Sequence, residues 1–544
     1  MRTLPIYLYA AAALAQIQQA PPTPAGKGGI EGTVSDSVTQ EPVKKVEVTL
    51  TGNIVPELTA VSDAGGHFAF RNLGPGNYWL NLSKPGYNPP QSILGLQERA
   101  GIVLGTDEQK KNVQVSITPG GTIDGRVVNE EGSAVRGCSV AAVQPAYELN
   151  RRTLRGAAGV STNDKGAYRL HDLGAGRYYV FAHCQTELPA PHPLLARGDP
   201  RTPHETYLPQ FYGGGIDPST ATKLTLAAGA NLDGVDFRMS RVPAFTLQGS
   251  ITAGDPEAFA NGLGILLLPV NPLLRELTMS SAGMESQGHK FQINAVIPGS
   301  YLLVVHAGRL TAQRNVEVGA APPDPVEIAL GSESELKGSV QFDCDDHPPL
   351  EHGQVELVPL DGPLFTAQPQ TQLDKDGAFT LTGGLSGRWR LNVSTSGYLK
   401  SVSLGGQQVS PFGFQIGAGA VGPLRIVMGC NLGQVDVNVT GALAGRAPSA
   451  LLFPEDPDHM GGGLERFGAA AGNGQIEIGA LPPGRYRVFA TDIASPWPIL
   501  QRPDWLKALE SLTAAVEVPE GGHVSATVEL IPREEVLRVL EEKE

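Results

Sequence analysis

At 544 residues the chain exceeds what one hydrophobic core organises, so it divides into several domains. Gly 67 and Pro 44 together make about a fifth of it, short of the low-complexity range, and 41 % apolar content leaves room for real cores. A net charge of -14 excludes nucleic acid as a partner, because phosphate binding needs a basic surface, and suits a soluble protein that meets neutral or cationic ligands.

Residues 1–15 read as a signal peptide. Arg2 supplies the positive charge, Leu4 to Ala15 a short apolar stretch, and Ala13-Leu14-Ala15 the small-x-small cleavage rule. The stretch is too short to span a bilayer, which needs ~20 apolar residues, and no later stretch reaches that length. The expected product is exported, to the periplasm, cell surface or medium, with no transmembrane segment in the mature chain. Residues 16–27, with Pro21, Pro22 and Pro24, read as an extended linker. No cysteine follows the apolar run closely, which argues against a lipid anchor.

A spacing of two glycines then recurs five times. It reads GHFAFRNLGPG from Gly66, GAYRLHDLGAG from Gly166, GHKFQINAVIPG from Gly288, GAFTLTGGLSG from Gly377 and GQIEIGALPPG from Gly474. Two positions past each second glycine stands an aromatic: Tyr78, Tyr178, Tyr301, Trp389 and Tyr486. Such a period marks a modular chain. In the first module Ile30–Val34 and Val43–Thr49 alternate toward strands, and Asp63-Ala64-Gly65-Gly66 forms a turn. Phe68 and Phe70 then share one face, and Gly74-Pro75-Gly76 turns again. Short strands at this interval predict an antiparallel sandwich, with the repeat-locked aromatic as a plug in its core. Each module opens on a strand with a central glycine, assigned to Gly32, Gly125, Gly249, Gly338 and Gly433.

The predicted fold class is therefore all-β, a tandem array of about five antiparallel β-sandwich modules of prealbumin or immunoglobulin-like type. The boundaries are 28–118, 119–240 with an insertion at 183–222, 241–330, 331–429 and 430–532, followed by a charged tail at 533–544 that reads as a short, frayed amphipathic helix. Short joints between modules predict a semi-rigid string of beads. Four cysteines permit three connectivities. Position in the repeat favours Cys138–Cys184 and Cys344–Cys430, since each pair closes within one module, and the absence of any CxxC disfavours zinc.

The pattern IEGTV…VEVTL…SDAGGHFAFRNLGPGNYWLNLSKPGY, from Ile30 to Tyr87, and its echo IDGRVV…STNDKGAYRLHDLGAGRYYVFA, from Ile123 to Ala182, resemble the carboxypeptidase regulatory-like domain. That domain is a sandwich similar to transthyretin and to the B-type repeats of surface adhesins. The segment Tyr207 to Met239 also resembles a feature of large exported proteins of soil bacteria that string such modules together. The resemblance implies a noncatalytic module with a carbohydrate-binding-like fold.

Catalytic motifs are missing: HExxH, GxSxG and GxxxxGK[ST] do not occur. The expectation is no enzyme, no catalytic residue, no metal and no cofactor. Asp343, Asp345, Asp346, His347, Glu351 and His352 carry metal-ligating side chains but read as a solvated loop, and Asp374-Lys375-Asp376-Gly377 reads as a hairpin turn and not a calcium loop. Tyr207, Phe211 and Tyr212 in the glycine-flanked insertion, and Trp497 and Trp505 near the end, are the candidate ligand contacts, able to stack on a sugar ring or a peptide; the favoured reading is that the first three pin the insertion to its own module and that Trp505, on one face of a short helix with Leu509 and Leu512, packs onto the sandwich. The leading expectation is a binding or interaction protein, with polysaccharide or a cell-surface or periplasmic protein as partner. A structural spacer or adhesin-like stalk is the alternative, and an accessory subunit of a peptidase or glycan-processing system the distant one.

Overall fold

The computed structural model describes residues 26–52, 57–89, 101–148, 151–184, 204–254, 259, 263–278, 280–281, 283–284, 289–308, 310–331, 334–345, 347, 349–360, 368–417, 422–441, 448–460, 463–470, 475–493 and 496–542. The signal peptide, most of the linker and residues 185–203 of the insertion lie outside them. The chain divides into two compact units, residues 1–84 with 99–117, and residues 85–98 with 118–544. It is nearly all β, as its alternating patterns require.

The first unit is one sandwich. One layer orders His67–Leu73, Gly28–Asp36 and Gln109–Pro119; the other orders Leu58–Val61, Glu47–Gly52, Gly76–Ser83 and Gly101–Leu104. Ile30, Val34, Phe68 and Phe70 meet Val48, Leu50, Tyr78 and Leu80 between the layers, all of them buried. The second unit repeats this plan around separate cores at residues 123–239, 245–330, 336–428 and 435–528.

Most strand pairs are antiparallel, but one parallel pair recurs. The opening strand of each sandwich runs parallel to its closing strand: Gly32 opposite Val113, Val127 opposite Phe237, Gly249 opposite Val326, Gly338 opposite Leu424 and Val437 opposite Ala526. On its other side the opening strand pairs antiparallel with the hairpin strand of the glycine repeat, which sets Gly32 against Phe68, Gly125 against Tyr168, Gly249 against Phe291 and Gly338 against Phe379.

That register explains the central glycine. A Cβ on Gly249 would lie 2.2 Å from the Val326 carbonyl oxygen and 2.4 Å from the Phe291 ring. On Gly338 it would meet the Phe379 ring at 2.2 Å and the Leu424 carbonyl at 2.5 Å. The aromatic lies across the strand where a side chain would stand. In the fifth sandwich the equivalent position is Val437, opposite Ile476, and not Gly433, which pairs with Leu481. Once the crossing ring is replaced by isoleucine, a β-branched residue fits. The sequence assignment of Gly433 is corrected accordingly.

The turn at the first glycine is also built alike. Asp63 Oδ1 accepts the backbone N–H groups of Gly65 and His67 at 2.8 and 2.9 Å. Asn163 holds Lys165 and Ala167 at 2.9 and 3.0 Å, and Asp374 holds Asp376 and Ala378 at 2.9 and 2.7 Å. Gly66, Gly166 and Gly377 follow at φ 75°, 69° and 76°, a conformation glycine enters at no steric cost. The Asp374 segment is thus a turn whose carboxylate is already occupied.

The repeat-locked aromatic has a role beyond filling space. Tyr78 Oη donates to the Gly74 carbonyl at 2.7 Å, Tyr178 to Gly174 at 2.8 Å, Tyr301 to Ile297 at 2.9 Å and Tyr486 to Pro482 at 2.8 Å. Trp389 Nε1 does the same to Leu385 at 2.7 Å. Each ring tip pins the carbonyl four residues upstream and closes the corner, as the tyrosine corner does in other sandwiches. Five of five are Tyr or Trp and none is Phe, because the contact needs a donor.

The last sandwich carries a helical layer. Trp497–Leu500, Pro503–Leu509 and Arg533–Glu541 bury Leu500, Trp505, Leu506, Leu509, Val536 and Leu540 on the outer face of its sheet. The tail is therefore a docked helix with Val536 and Leu540 fully buried, and its expected fraying is corrected over Arg533–Glu541. This layer also reaches the second sandwich. The Arg502 guanidinium lies 4.1 Å from the Trp505 ring centroid and 5.2 Å from that of Tyr147, and Arg177 Nη1 donates to the Glu541 carbonyl at 3.2 Å. Leu274, from a short helix of the third sandwich, joins Val143, Leu154, Tyr179, Phe181 and Phe211 on the same outer sheet face. Within the second unit, then, modules touch beyond their chain neighbours, which a string of beads does not do.

Two outcomes follow. Gly249→Ala is expected to cost about 1–3 kcal/mol by overpacking, seen in calorimetry as a downward shift of one transition while the others stay. Burial pushes the Tyr301 and Tyr486 phenols up to about 12 from their usual 10. A raised folded-state value means the fold prefers the protonated phenol, so that contribution is complete below pH 10 and is lost as pH rises from 10 through 12. Alkaline titration followed by circular dichroism should show unfolding in that window, and Tyr486→Phe should make the fifth sandwich less sensitive to it while lowering its stability at pH 7 by about 1 kcal/mol.

Candidate functional site

The candidate contacts of the insertion do not form one exposed patch. Tyr207 ends the His204–Tyr207 strand, which pairs with Arg241–Ala253 of the third sandwich, and its ring lies buried with the Arg241 guanidinium 5.6 Å from its centroid. Phe211 is fully buried, 4.8 Å from Phe181 and 6.2 Å from Tyr179. Tyr212 is half-buried and meets Phe237 edge-on at 6.1 Å. The glycines beside it, Gly213, Gly214 and Gly215, all take positive φ and turn the chain back so that Thr222 N–H donates to the Tyr212 carbonyl at 2.8 Å. These rings tie the insertion to the sandwiches, and the faces of Tyr207 and Phe211 are closed to a ligand. Gln210, Tyr212, Asp236 and Arg238 edge a shallow groove of about 410 Å³. Its polar groups are engaged: Asp236 accepts the Arg126 N–H at 2.8 Å, Gln210 donates to the Arg238 carbonyl at 2.9 Å, and Arg238 donates to the Glu130 carbonyl at 2.7 Å.

The two tryptophans part company. Trp505 is 2 % exposed, wedged between Arg502 and the helical core, and offers no face. Trp497 is 41 % exposed at the start of its helix. Beside it stands Phe467, 49 % exposed on the short strand Arg466–Ala469, with ring centroids 6.1 Å apart. That strand pairs with Ser449–Pro454, at the end of its sheet's strand order. Trp497 belongs to the helical layer, and its ring meets Phe467 at that end of the sheet. Phe467 was not legible as a partner of Trp497: thirty residues separate them, and only the return of the helical layer over the sheet brings them together.

The metal-type side chains disperse. His347 stacks on Phe342 at 4.6 Å, and Glu351 and His352 sit in the short helix Leu350–His352. Asp346 lies outside the described residues. Asp343 takes the Lys400 ammonium, which also reaches Glu520 at 3.1 Å, and these hydrogen bonds hold the Lys400 pKa well above its usual value. Among the described residues, Asp343 with Cys344 and Cys430 is the cluster close enough to hold an ion, but its two sulfurs are bonded to each other. The structure joins Cys138 to Cys184 with Cα atoms 4.1 Å apart and Cys344 to Cys430 at 6.3 Å. The first pair is buried in the core of the second sandwich; the second lies where the fourth and fifth meet, beside Lys400.

The ionisable groups with displaced pKa are chiefly tyrosines raised by burial, the usual consequence of packing a phenol and not of a catalytic pair. No helix of the described residues is long and apolar enough to cross a membrane.

The chain is similar to one family over part of its length and to distant structures. No curated protein matches the chain. The minor pilin GBS52 of Streptococcus agalactiae is 13 % identical, with 40 % of this chain and 97 % of that one covered at a TM-score of 0.22. A shaft pilin, spaA of Lactobacillus rhamnosus GG, is 9 % identical over 40 % of this chain and 98 % of its own, at 0.21. The TIE protein of Bacillus anthracis is 11 % identical over 75 % of this chain and 73 % of its own, at 0.14. A family model is matched by residues 29–118, the first sandwich with its Phe68 and Phe70 hairpin and its Tyr78 corner. Over that span the chain matches the model of the carboxypeptidase regulatory-like domain.

Proposed function

We propose that the chain is an exported, non-catalytic interaction protein, built from five sandwiches with the boundaries 28–118, 119–240, 241–330, 331–429 and 430–532, which meets polysaccharide through stacked aromatics on its surface. The observation that carries this is the Phe467–Trp497 pair: two large rings, each more than two-fifths exposed, side by side on an edge of the fifth sandwich. Isolated exposed hydrophobics are ordinary on a soluble protein; a paired aromatic patch is the commoner mark of an interface. Two disulfides fit an oxidising compartment outside the cytosol. The groove beside Tyr212 is shallow and its polar groups are already engaged in the fold, which favours a surface binder over an enzyme with a cleft.

One set of contacts favours the spacer reading. Arg502 on Tyr147 and Arg177 on the Glu541 carbonyl link the second and fifth sandwiches and stiffen the second unit, as a stalk requires.

Sedimentation of the protein with insoluble cellulose, chitin and peptidoglycan separates the readings. Binding to at least one, without release of reducing sugar or free amine, is the expected result, with a Trp497→Ala/Phe467→Ala double variant binding at least about tenfold more weakly. A protein that stays in every supernatant is a spacer, and release of product makes it an enzyme.

A further inference from the structure

We propose that the outer face of the first sandwich is a second binding site, for a neutral polysaccharide, centred on Trp79. It rests on the reading of the chain as an interaction protein, and it involves none of the residues singled out above.

The sheet Leu58–Val61, Glu47–Gly52, Gly76–Ser83 turns Val48, Leu50, Tyr78 and Leu80 into the core. Period-two alternation therefore sends Trp79, Asn81 and Ser83, with Thr49, Thr51 and Thr59, to the opposite face. Trp79 is 40 % exposed there, while its neighbours Tyr78 and Leu80 are 1 % and 4 % exposed. The residues line up across the strands: Thr59, Thr49 and Asn81 share one row, and Thr51 stands beside Trp79 in the next. Thr51 Oγ1 donates to the Trp79 carbonyl and accepts from Asn81 Nδ2, both at 3.4 Å, which holds the amide beside the indole. From Trp79 to Ser83 the platform runs about 14 Å along the strands, and it spans about 10 Å across three of them.

The chemistry of this face selects its occupant. Glu47 is the one charged residue among the outward positions of these three strands, and there is no Lys or Arg. Within the three strands an anionic polymer finds no cation, Lys44, Lys45 and Lys84 standing just past their ends, and a cationic one finds a single carboxylate at the rim. A pyranose ring offers an apolar face, which suits an indole, and equatorial hydroxyls, which suit Asn and Thr side chains that both donate and accept. A flat, uncharged, hydroxyl- and amide-bearing sheet with one open indole fits a neutral glycan chain lying along it. Val61, 61 % exposed two strands away, adds an apolar edge at the far corner.

The test is native affinity electrophoresis of the full chain in gels cast with hydroxyethylcellulose, soluble starch, galactomannan or dextran, with plain gels as reference. Retarded migration in at least one is expected. Trp79→Ala should weaken retention at least about tenfold, Trp79→Tyr should restore part of it, and Asn81→Ala should weaken it less. The double variant Trp497→Ala/Phe467→Ala should still be retarded in at least one gel in which Trp79→Ala is not. The ring is on the surface, so each variant should keep the parent's circular dichroism and melting curve. Parent migration unchanged in all four polysaccharides overturns the proposal, as does a Trp79→Ala variant retarded like the parent. Retention lost only with Trp497 and Phe467 removes this site while leaving the broader reading in place. A parent chain that self-associates in sedimentation velocity, and stops doing so as Trp79→Ala, assigns the face to a second copy and likewise overturns it.

Discussion

Four of the five sandwiches depend on one crossing. The opening strand is held between a parallel closing strand and an antiparallel hairpin strand, and at its midpoint an aromatic ring from the hairpin lies over the backbone. Only glycine leaves room there, with the Phe291 ring and the Val326 carbonyl both within 2.4 Å of where a Cβ would be. Glycine in a strand interior is unfavourable by itself, and the ring it admits covers the exposed backbone and adds core contact. The turn that carries the ring, with its Asp or Asn and its left-handed glycine, places the aromatic in register. The corner that follows is then closed by the Tyr or Trp donor. Turn, crossing ring and corner are successive parts of one hairpin, which is why they recur together at fixed spacing.

Much of this is legible in the sequence, because turns and alternation are local. Gly66 and Gly76 announce their turns, and Phe68 and Phe70 their face. What local pattern does not give is the partner of each face. Tyr178 reads as a plug by its position; that it donates to Gly174 follows only from the geometry of the corner. The signal was nonetheless present, since the position takes Tyr or Trp and never Phe. Gly433 is the glycine that the degenerate fifth opening strand, LGQVDVNV from Leu432, offers, whereas the register of Ile476 places Val437 at the crossing. Tyr207, Phe211 and Trp505 admit either a ligand contact or packing from the sequence, since irregular, proline- and glycine-rich segments do not show what covers them; a neighbouring sandwich or the helical layer covers them here. Trp79 hides in the opposite way, as an ordinary strand former in a regular strand.

For function, the arrangement separates two kinds of surface. The interior and the contacts between sandwiches absorb the aromatic residues of the insertion, the ion cluster around Lys400 and the cationic ring stack of Arg502. What remains open is the outside of sheets and their edges. On the proposed reading, a protein of this construction acts by what it presents, through a few side chains that the fold does not need for itself.

The parallel pairing of first and last strands has a mechanical consequence. The chain enters each sandwich at one end of the opening strand and leaves at the opposite end of the closing strand, and the two are joined side by side over stretches such as Gly338–Phe342 with Leu424–Met428 and Gln434–Thr440 with His523–Glu529. A pull on the two ends slides these strands along each other. Their hydrogen bonds are then loaded together, in shear, and must break as a group, whereas a hairpin pulled open at its ends yields one bond at a time. The same disposition that carries the chain from one module to the next also makes each of them a link that resists extension.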